Sequence, residues 1–364
     1  MKIVSFKSAA LVLLAGMLSG CSWFGGPSHP FKDRQLEESF RLNRKKQMDV
    51  RAFDDALNGG ADPNMEMENG GTPLIMAVVR DRPDLIEKLL KHGADINKPG
   101  RRGGTPLHIA AGLGRRDCLN LLIRHEANVN TVGAFGRTPL MDAARLGNLE
   151  IMEDLMDSGA DITAVDSLKR TALMHAADAR RNSLEAVRLL ISNGADPSVM
   201  DSDLKNAAMH AAQLRHTDAA IYLLELVPDI SKEPALGLMV MHSAIKGSDL
   251  KVMEWLIDRR LPLNRSLSLV LKGTRILQVH GFYRILIRNG LLGSGRVPLH
   301  WAARDNNLAA VRLLVSRGAD PLQPDELGHT PDELATSHEV VQYLQKQQEI
   351  VLEKYAAEEE RKSR

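Results

Sequence analysis

Thr105-Pro106-Leu107-His108-Ile109-Ala110-Ala111, preceded by Gly93-Ala94-Asp95-Ile96-Asn97, decides the fold, because both phrases recur at a fixed step. The first returns as Thr72-Pro73-Leu74, Thr138-Pro139-Leu140 and Thr171-Ala172-Leu173, at intervals of 33 residues. Asn206 takes the threonine position after 35 residues, and Met239, Val297 and Thr330 follow after 33, 58 and 33. The second returns as Gly60-Ala61-Asp62-Pro63-Asn64, Gly159-Ala160-Asp161, Gly194-Ala195-Asp196-Pro197 and Gly318-Ala319-Asp320-Pro321. A period of this length marks supersecondary units that bury their apolar faces by stacking on one another. Aromatic residues are only 4% of the chain, which suits many small layers better than one large core.

Each phrase has a physical job. A threonine side chain at an N-cap accepts a hydrogen bond from an orphan amide, and proline behind it presets the first helical φ. A first helix therefore starts at each threonine position. Small pairs such as Ala110-Ala111, Ala143-Ala144, Ala176-Ala177, Ala211-Ala212 and Ala302-Ala303 let that helix press closely on its neighbours. Apolar residues at helical spacing, as in Leu85, Ile86, Leu89 and Leu90, predict a second helix. Gly93, Gly159, Gly194 and Gly318 end it with a left-handed turn.

This pattern resembles the ankyrin-repeat family over roughly Asp33 to Gln348. The resemblance implies an all-α solenoid of stacked helix pairs with finger-like turns, closed by polar caps at both ends. The repeat domain is expected to span 33–348. At its start Arg34 to Lys46 would form a charged helix before a second helix holding Phe53, Ala56 and Leu57. At its end a last helix carries Val341, Leu344, Val351 and Tyr355 and runs into a charged, solvated tail over 349–364. The 58-residue step predicts a hidden unit, because Arg284-Ile285-Leu286-Ile287-Arg288-Asn289-Gly290 copies the pattern of Arg188-Leu189-Leu190-Ile191-Ser192-Asn193-Gly194. Ser266 to Leu292, about 265–292, reads as a shortened, divergent repeat with its first helix near Ser266 to Lys272, an irregular loop being the alternative for its first half.

Residues 1–20 read as an export signal, with Lys2 and Lys7 ahead of an apolar run from Ala9 to Leu18 that is too short to span a bilayer. Leu18-Ser19-Gly20-Cys21 resembles the bacterial lipobox, which implies acylation of Cys21 and a short tether over 21–32; an ordinary signal with an incidental cysteine, or an uncleaved anchor, is the alternative. Ser22, standing where aspartate would retain such a protein in the inner membrane, implies the outer membrane, facing the periplasm. Removing Lys2 and Lys7 from 47 basic side chains leaves a balance near zero against 46 acidic ones, so bulk charge points to neither nucleic acid nor anionic lipid. Cys118 is the only other cysteine, which leaves no disulfide framework.

No phosphate loop, zincin helix, dinucleotide fingerprint or nucleophile elbow occurs, and no catalytic residue, metal or cofactor is expected. His108, His242 and His300 share one place in the repeat, where the family's histidine braces a turn; successive layers keep them apart. His175 and His210 lie one place on, and Cys118 aligns with apolar positions and reads as a core thiol. In ankyrin proteins the turn before each threonine and the end of each first helix line the binding face. That places Arg101, Arg102, Phe135, Arg137, Leu168, Arg170 and Lys205 on turns, and Arg145, Leu146 and Leu214 at helix ends, as partner-binding candidates. Acids accompany them at Glu68, Asp166, Asp178, Asp201 and Asp203, and a solvated surface with chance clustering is the plain alternative. Between Asp258 and Asp305 there is no acid, while nine basic residues, Arg275 among them, make a second candidate patch for anionic headgroups or an acidic partner.

The expectation is a protein-binding module, monomeric when unbound, whose partner offers an acidic and apolar patch. The lipid anchor and the resemblance to bacterial ankyrin-repeat lipoproteins suggest an immunity protein against a periplasm-acting toxin such as a phospholipase. An accessory or structural envelope lipoprotein, supporting an exported enzyme or touching lipid or cell wall, is the alternative.

Overall fold

The computed structural model describes residues 31–41, 49–227, 230–272 and 280–363. Cys21, most of its tether and Arg275 lie outside them. The chain divides into two compact units, Met1–Asp161 and Ile162–Arg364.

In the first unit α1 (Phe31–Ser39) and α2 (Val50–Asn58) form the leading pair, followed by α3 (Pro73–Val79) with α4 (Pro83–Lys91), α5 (Pro106–Leu113) with α6 (Arg116–Arg124), and α7 (Pro139–Leu146) with α8 (Leu149–Asp157). Thr72, Thr105 and Thr138 cap the three inner first helices, accepting from the amides of Ile75, His108 and Met141 at 3.2, 3.5 and 3.4 Å. The alanine pairs are fully buried, so layers approach at backbone distance. The leading helix departs from expectation. It begins at Phe31 and ends at Ser39. Phe40 then turns inward to meet Phe53 edge-on, with ring centroids 5.6 Å apart, and this contact caps the stack.

Consecutive layers are tied by asparagine. Asn64 donates from Nδ2 to the Gly93 carbonyl at 2.9 Å and accepts the Asp95 amide on Oδ1 at 2.7 Å. Asn130 does the same to Gly159 and Asp161 at 3.0 and 2.8 Å. The turn after each second helix would otherwise leave these backbone groups unpaired.

The second unit contains α9 (Ala172–Ala177) with α10 (Ser183–Ser192), α11 (Ala207–Gln213) with α12 (Thr217–Glu225), α13 (Pro234–Gly247) with α14 (Leu250–Asp258), α15 (Leu267–Leu271), α16 (His280–Arg288), α17 (Pro298–Arg304) with α18 (Leu308–Ser316), and α19 (Pro331–Leu334) with α20 (His338–Ser363). Two features break the pattern. Helix α13 is 14 residues long, because Pro234-Ala235-Leu236-Gly237-Leu238 extends it backwards through the place where a finger-like turn would stand. Leu238, which directly precedes Met239 in the threonine position, is fully buried.

The second feature corrects the reading of about 265–292 as a divergent repeat. The segment does hold two helices, and α15 starts at the expected Ser266, whose hydroxyl accepts the Leu269 amide at 3.3 Å. It is not a layer. Helix α13 packs directly on α17 and α14 on α18. Asn264 reaches past the whole segment to the Gly318 carbonyl at 3.1 Å and the Asp320 amide at 2.9 Å, as Asn64 and Asn130 reach the next pair. Asn264 and Val297 stand 33 residues apart, where Asn64–Thr72, Asn97–Thr105 and Asn130–Thr138 stand eight apart. The segment is therefore an enlarged finger, with 25 residues inserted.

Its two ends bridge neighbouring fingers. Arg288 pairs with Asp203, Asn289 donates to the Asp203 carbonyl at 2.9 Å, and Ser268 donates to Glu326 at 3.0 Å. Leu267, Leu271 and Leu286 are buried, and α15 packs against α13.

Gly247 marks the closest backbone approach. A Cβ there would stand 2.3 Å from the Ala212 carbonyl oxygen and 2.6 Å from that of Gln213. We expect Gly247→Ala to lower the unfolding free energy by about 1–3 kcal/mol. Gly112→Ala, whose Cβ would meet the Asp142 side chain at an ordinary 3.8 Å, should not destabilise. Urea denaturation of the two variants checks this, and equal stabilities would refute the close approach.

Candidate functional site

The fingers stand in rows. In the first unit the Arg101 amide donates to the Gly70 carbonyl at 2.7 Å, and a Cβ on Gly103 would lie 3.3 Å from the Ala134 amide, so three finger tips adjoin. These fingers are built on glycine and expose apolar tips: Phe135 is 74% exposed and Val132 68%. Arg101 is exposed but paired with Glu66 at 2.7 Å, whereas Arg102 is exposed and has no ion-pair partner among the described residues. Arg137 stands over the Phe135 ring at 5.8 Å, with its Nε 3.0 Å from Asp142. At the end of α7, Arg145 is exposed and Leu146 half-buried.

Fingers in the second unit are built on aspartate. Asp166 Oδ1 accepts the amides of Leu168 and Arg170 at 2.8 and 2.9 Å, while its Oδ2 accepts Arg170 Nε and His175 Nε2, each at 3.0 Å. Burial works against this carboxylate, yet those four donors hold its carboxyl well below the ordinary range. Burial holds the His175 pKa below its ordinary value too, and the ring donates from Nε2 in its neutral form. Asp201 repeats the arrangement, accepting the amides of Asp203 and Lys205 at 2.8 and 2.9 Å, and Asp325 accepts those of Leu327 and His329. Leu168 and Leu214 are both 51% exposed, so apolar tips recur in this unit.

His210 is the electrostatic centre of this unit. Its Nδ1 lies 3.1 Å from Asp178 and its Nε2 2.9 Å from Asp201. Two carboxylates can be satisfied only by a ring protonated on both nitrogens. Burial opposes that charge, but the bonds to Asp178 and Asp201 raise its pKa to about 9. His108 and His300 do structural work of another kind. His108 accepts the Thr105 amide on Nδ1 at 3.3 Å and donates from Nε2 to the Arg137 carbonyl at 2.9 Å, bracing the following finger. His300 accepts from Val297 and reaches His329 in the same way.

The scaffold does not leave Arg137, Arg170 and Lys205 as free as their spacing suggested. Arg137 is paired with Asp142, Arg170 with the buried Asp166, and Lys205 donates to Gln213 at 2.6 Å. Arg296 is likewise paired with Asp325 at 3.3 Å. A glutamate at position 170 would set two carboxylates side by side, so reversing that charge perturbs the fold itself. Asp166 and Asp201, read from the sequence as surface acids, are buried braces. Their signal was present, since in each case an aspartate stands four residues before a base and nine before a histidine. Within the acid-free stretch, Arg288 and Arg296 are paired and Arg259 stacks on Trp255 at 3.6 Å, while Arg260, Arg265, Lys272 and Arg284 remain exposed.

Cys118 is buried, and burial with the Asp81 carboxylate beside it pushes its thiol up to about 12, which makes it inert. Among the described residues no cluster of three His, Cys, Asp or Glu could hold a metal, and no helix is long and apolar enough to cross a membrane.

Comparison with protein families matches Ankyrin repeats (3 copies) over residues 48–132, 82–166, 122–201 and 173–266, and a single Ankyrin repeat over 294–326. The unmatched interval between them, 267–293, falls within the inserted finger. A search of curated protein sequences finds no match.

His210 generates a stability prediction with a definite sign. Its folded pKa of about 9 lies above the ordinary 6.5, so its contribution is complete below 6.5 and is lost as pH rises through 9. We expect the chain to lose on the order of 2–3 kcal/mol across that window, and His210→Asn to flatten the loss. Urea midpoints measured along the pH series test it; a wild-type chain no less stable at the alkaline end would contradict the doubly bonded imidazolium.

Proposed function

The chain belongs to the ankyrin-repeat family, whose repeats generally serve as protein-interaction modules, and from that premise we propose a membrane-tethered binding protein of the bacterial envelope. On this reading it is an immunity protein that captures and neutralises a toxin acting in the periplasm, such as a phospholipase. The observation that carries the binding reading is the pair of apolar finger tips, Val132 and Phe135, standing in water beside Arg102. An aromatic at 74% exposure on a glycine-built turn contributes nothing to the core, and aromatic and arginine side chains are the usual anchors of interfaces. Leu168 and Leu214 offer similar anchors in the second unit. The address rests on Leu18-Ser19-Gly20-Cys21, and an anchored inhibitor would stand where a membrane-attacking toxin must work.

The exposed Arg260, Arg265, Lys272 and Arg284 favour a second reading, an envelope lipoprotein that touches lipid or cell wall. Co-purification from detergent-solubilised envelopes separates the two. One stoichiometric protein partner is expected, whose toxic activity the chain suppresses. Phe135→Asp with Val132→Asp should abolish its capture without changing the helical signal, while Tyr355→Asp should not. Bulk lipid or peptidoglycan alone, unaffected by Phe135→Asp, would favour the structural reading instead.

The anchor is tested separately. Cys21→Ala should release the chain from membranes or stall its processing with the repeats still folded. Mass spectrometry of the mature amino terminus should show acylated Cys21, and an unmodified terminus would end the lipoprotein proposal.

A further inference from the structure

Positive charge gathers at one place in the second unit without matching acid. Gln213, Lys246 and Arg304 hold equivalent positions, each seven residues after its helix-start position, at the ends of α11, α13 and α17. These three helices pack in succession: Gly247 abuts the Ala212 and Gln213 carbonyls, and the His242 and Trp301 rings meet edge-on at 5.1 Å. Lys205 adds its ammonium to the row through its 2.6 Å bond to Gln213. The end of α16 forms a wall over this row. Arg288 and Asn289 hold the Asp203 finger on one side, and a Cβ on Gly290 would lie 2.9 Å from Arg304 Nη1 on the other. The insertion thus turns the ends of three helices into a covered groove. Among the described residues Asp305 is the acid that pulls on Lys246, and it is already bonded to Arg304 at 3.2 Å.

His242 records the resulting field. It is 4% exposed, and its Nε2 has no partner, whereas His108 and His300 reach a finger carbonyl from the same atom. Burial, together with the charges of Lys246, Arg304 and Lys205, pushes its pKa down to about 3. Lys246 is lowered as well, by partial desolvation and by Lys205 and Arg304, against the pull of Asp305.

We propose that this groove binds an extended acidic segment of the protein partner, its carboxylates meeting Lys205, Lys246 and Arg304 in turn. The proposal rests on the protein-binding reading and adds the partner's chemistry to it. Successive layers stand roughly 8–10 Å apart, so the cations form a line that suits the spaced carboxylates of an extended acidic segment better than one phosphate.

The test uses the full chain and a fluorescein-labelled hexaglutamate peptide, with hexalysine, inorganic phosphate and phosphatidylglycerol vesicles as comparators. Hexaglutamate should bind saturably and protect Lys246 from acetylation, read by mass spectrometry. Lys246→Glu with Arg304→Glu should weaken binding by at least about tenfold, while Arg51→Glu, at an exposed position on the first turn of α2, leaves it unchanged. Equal binding by both variants, or no protection of Lys246 in the unaltered chain, would overturn the proposal even where the double variant misfolds. Protection by phosphate or by vesicles at concentrations where hexaglutamate gives none would also overturn it, assigning the row to a phosphate or to lipid. Partner capture that survives Lys246→Glu with Arg304→Glu but is lost in Phe135→Asp would sink the groove and leave the binding reading standing.

Discussion

The asparagine that follows a helix pair at positions 64, 130 and 264 makes the contact on which the order of the stack depends. A turn after a second helix presents a carbonyl and an amide that no helix can satisfy, and the preceding pair satisfies both from one side chain, as Asn64 does for Gly93 and Asp95. That reciprocity fixes which pair follows which. When Asn264 makes the same two bonds to Gly318 and Asp320, the intervening residues have no place in the stack and must leave it. The absence of a turn before α13 gives them somewhere to go, because the extended helix leaves a gap in the row of fingers.

Surface chemistry follows from how each finger is built. The glycine-based finger of the first unit is braced from beneath by His108 at the Arg137 carbonyl, so Val132 and Phe135 are left for contact with something outside the chain. Aspartate-based fingers fold around a buried carboxylate that consumes the neighbouring base, which is why Arg170 supports its turn. Both designs are hydrogen-bonded within the chain before any partner arrives, which lowers the ordering cost of binding. His210, shared between Asp178 and Asp201, locks two successive layers together with a buried charge.

Helix starts and ends were legible because backbone satisfaction is a local problem. Thr105 with Pro106, the alanine pairs and Gly93 announce their roles within a few residues. The position of the insertion was not legible from its helix pattern. Arg284 to Gly290 encodes a helix that ends in a left-handed turn, and it does end so, with Gly290 at a φ of +73°. Nothing in that pattern says what the helix packs against. Asn264 carried that information, in a bond to a residue 54 positions away. The pairing of Arg137 and Arg170 was hidden for a related reason, since identity shows a base and only the folded turn shows its acid. Pro234 ahead of Ala235-Leu236-Gly237-Leu238 was a readable sign that α13 starts early.

Removing residues 266–290 tests the account most directly, because it restores the eight-residue spacing between Asn264 and Val297 and leaves Leu292-Gly293-Ser294-Gly295-Arg296 as an ordinary finger. Hydrogen exchange of the shortened chain would be followed at the Asp320 amide, which Asn264 holds at 2.9 Å. If the insertion lies outside the stack, that amide stays protected and α17 to α20 remain folded. Loss of protection there, with unfolding of everything after Val297, would mean that the inserted helices are a layer of the stack after all.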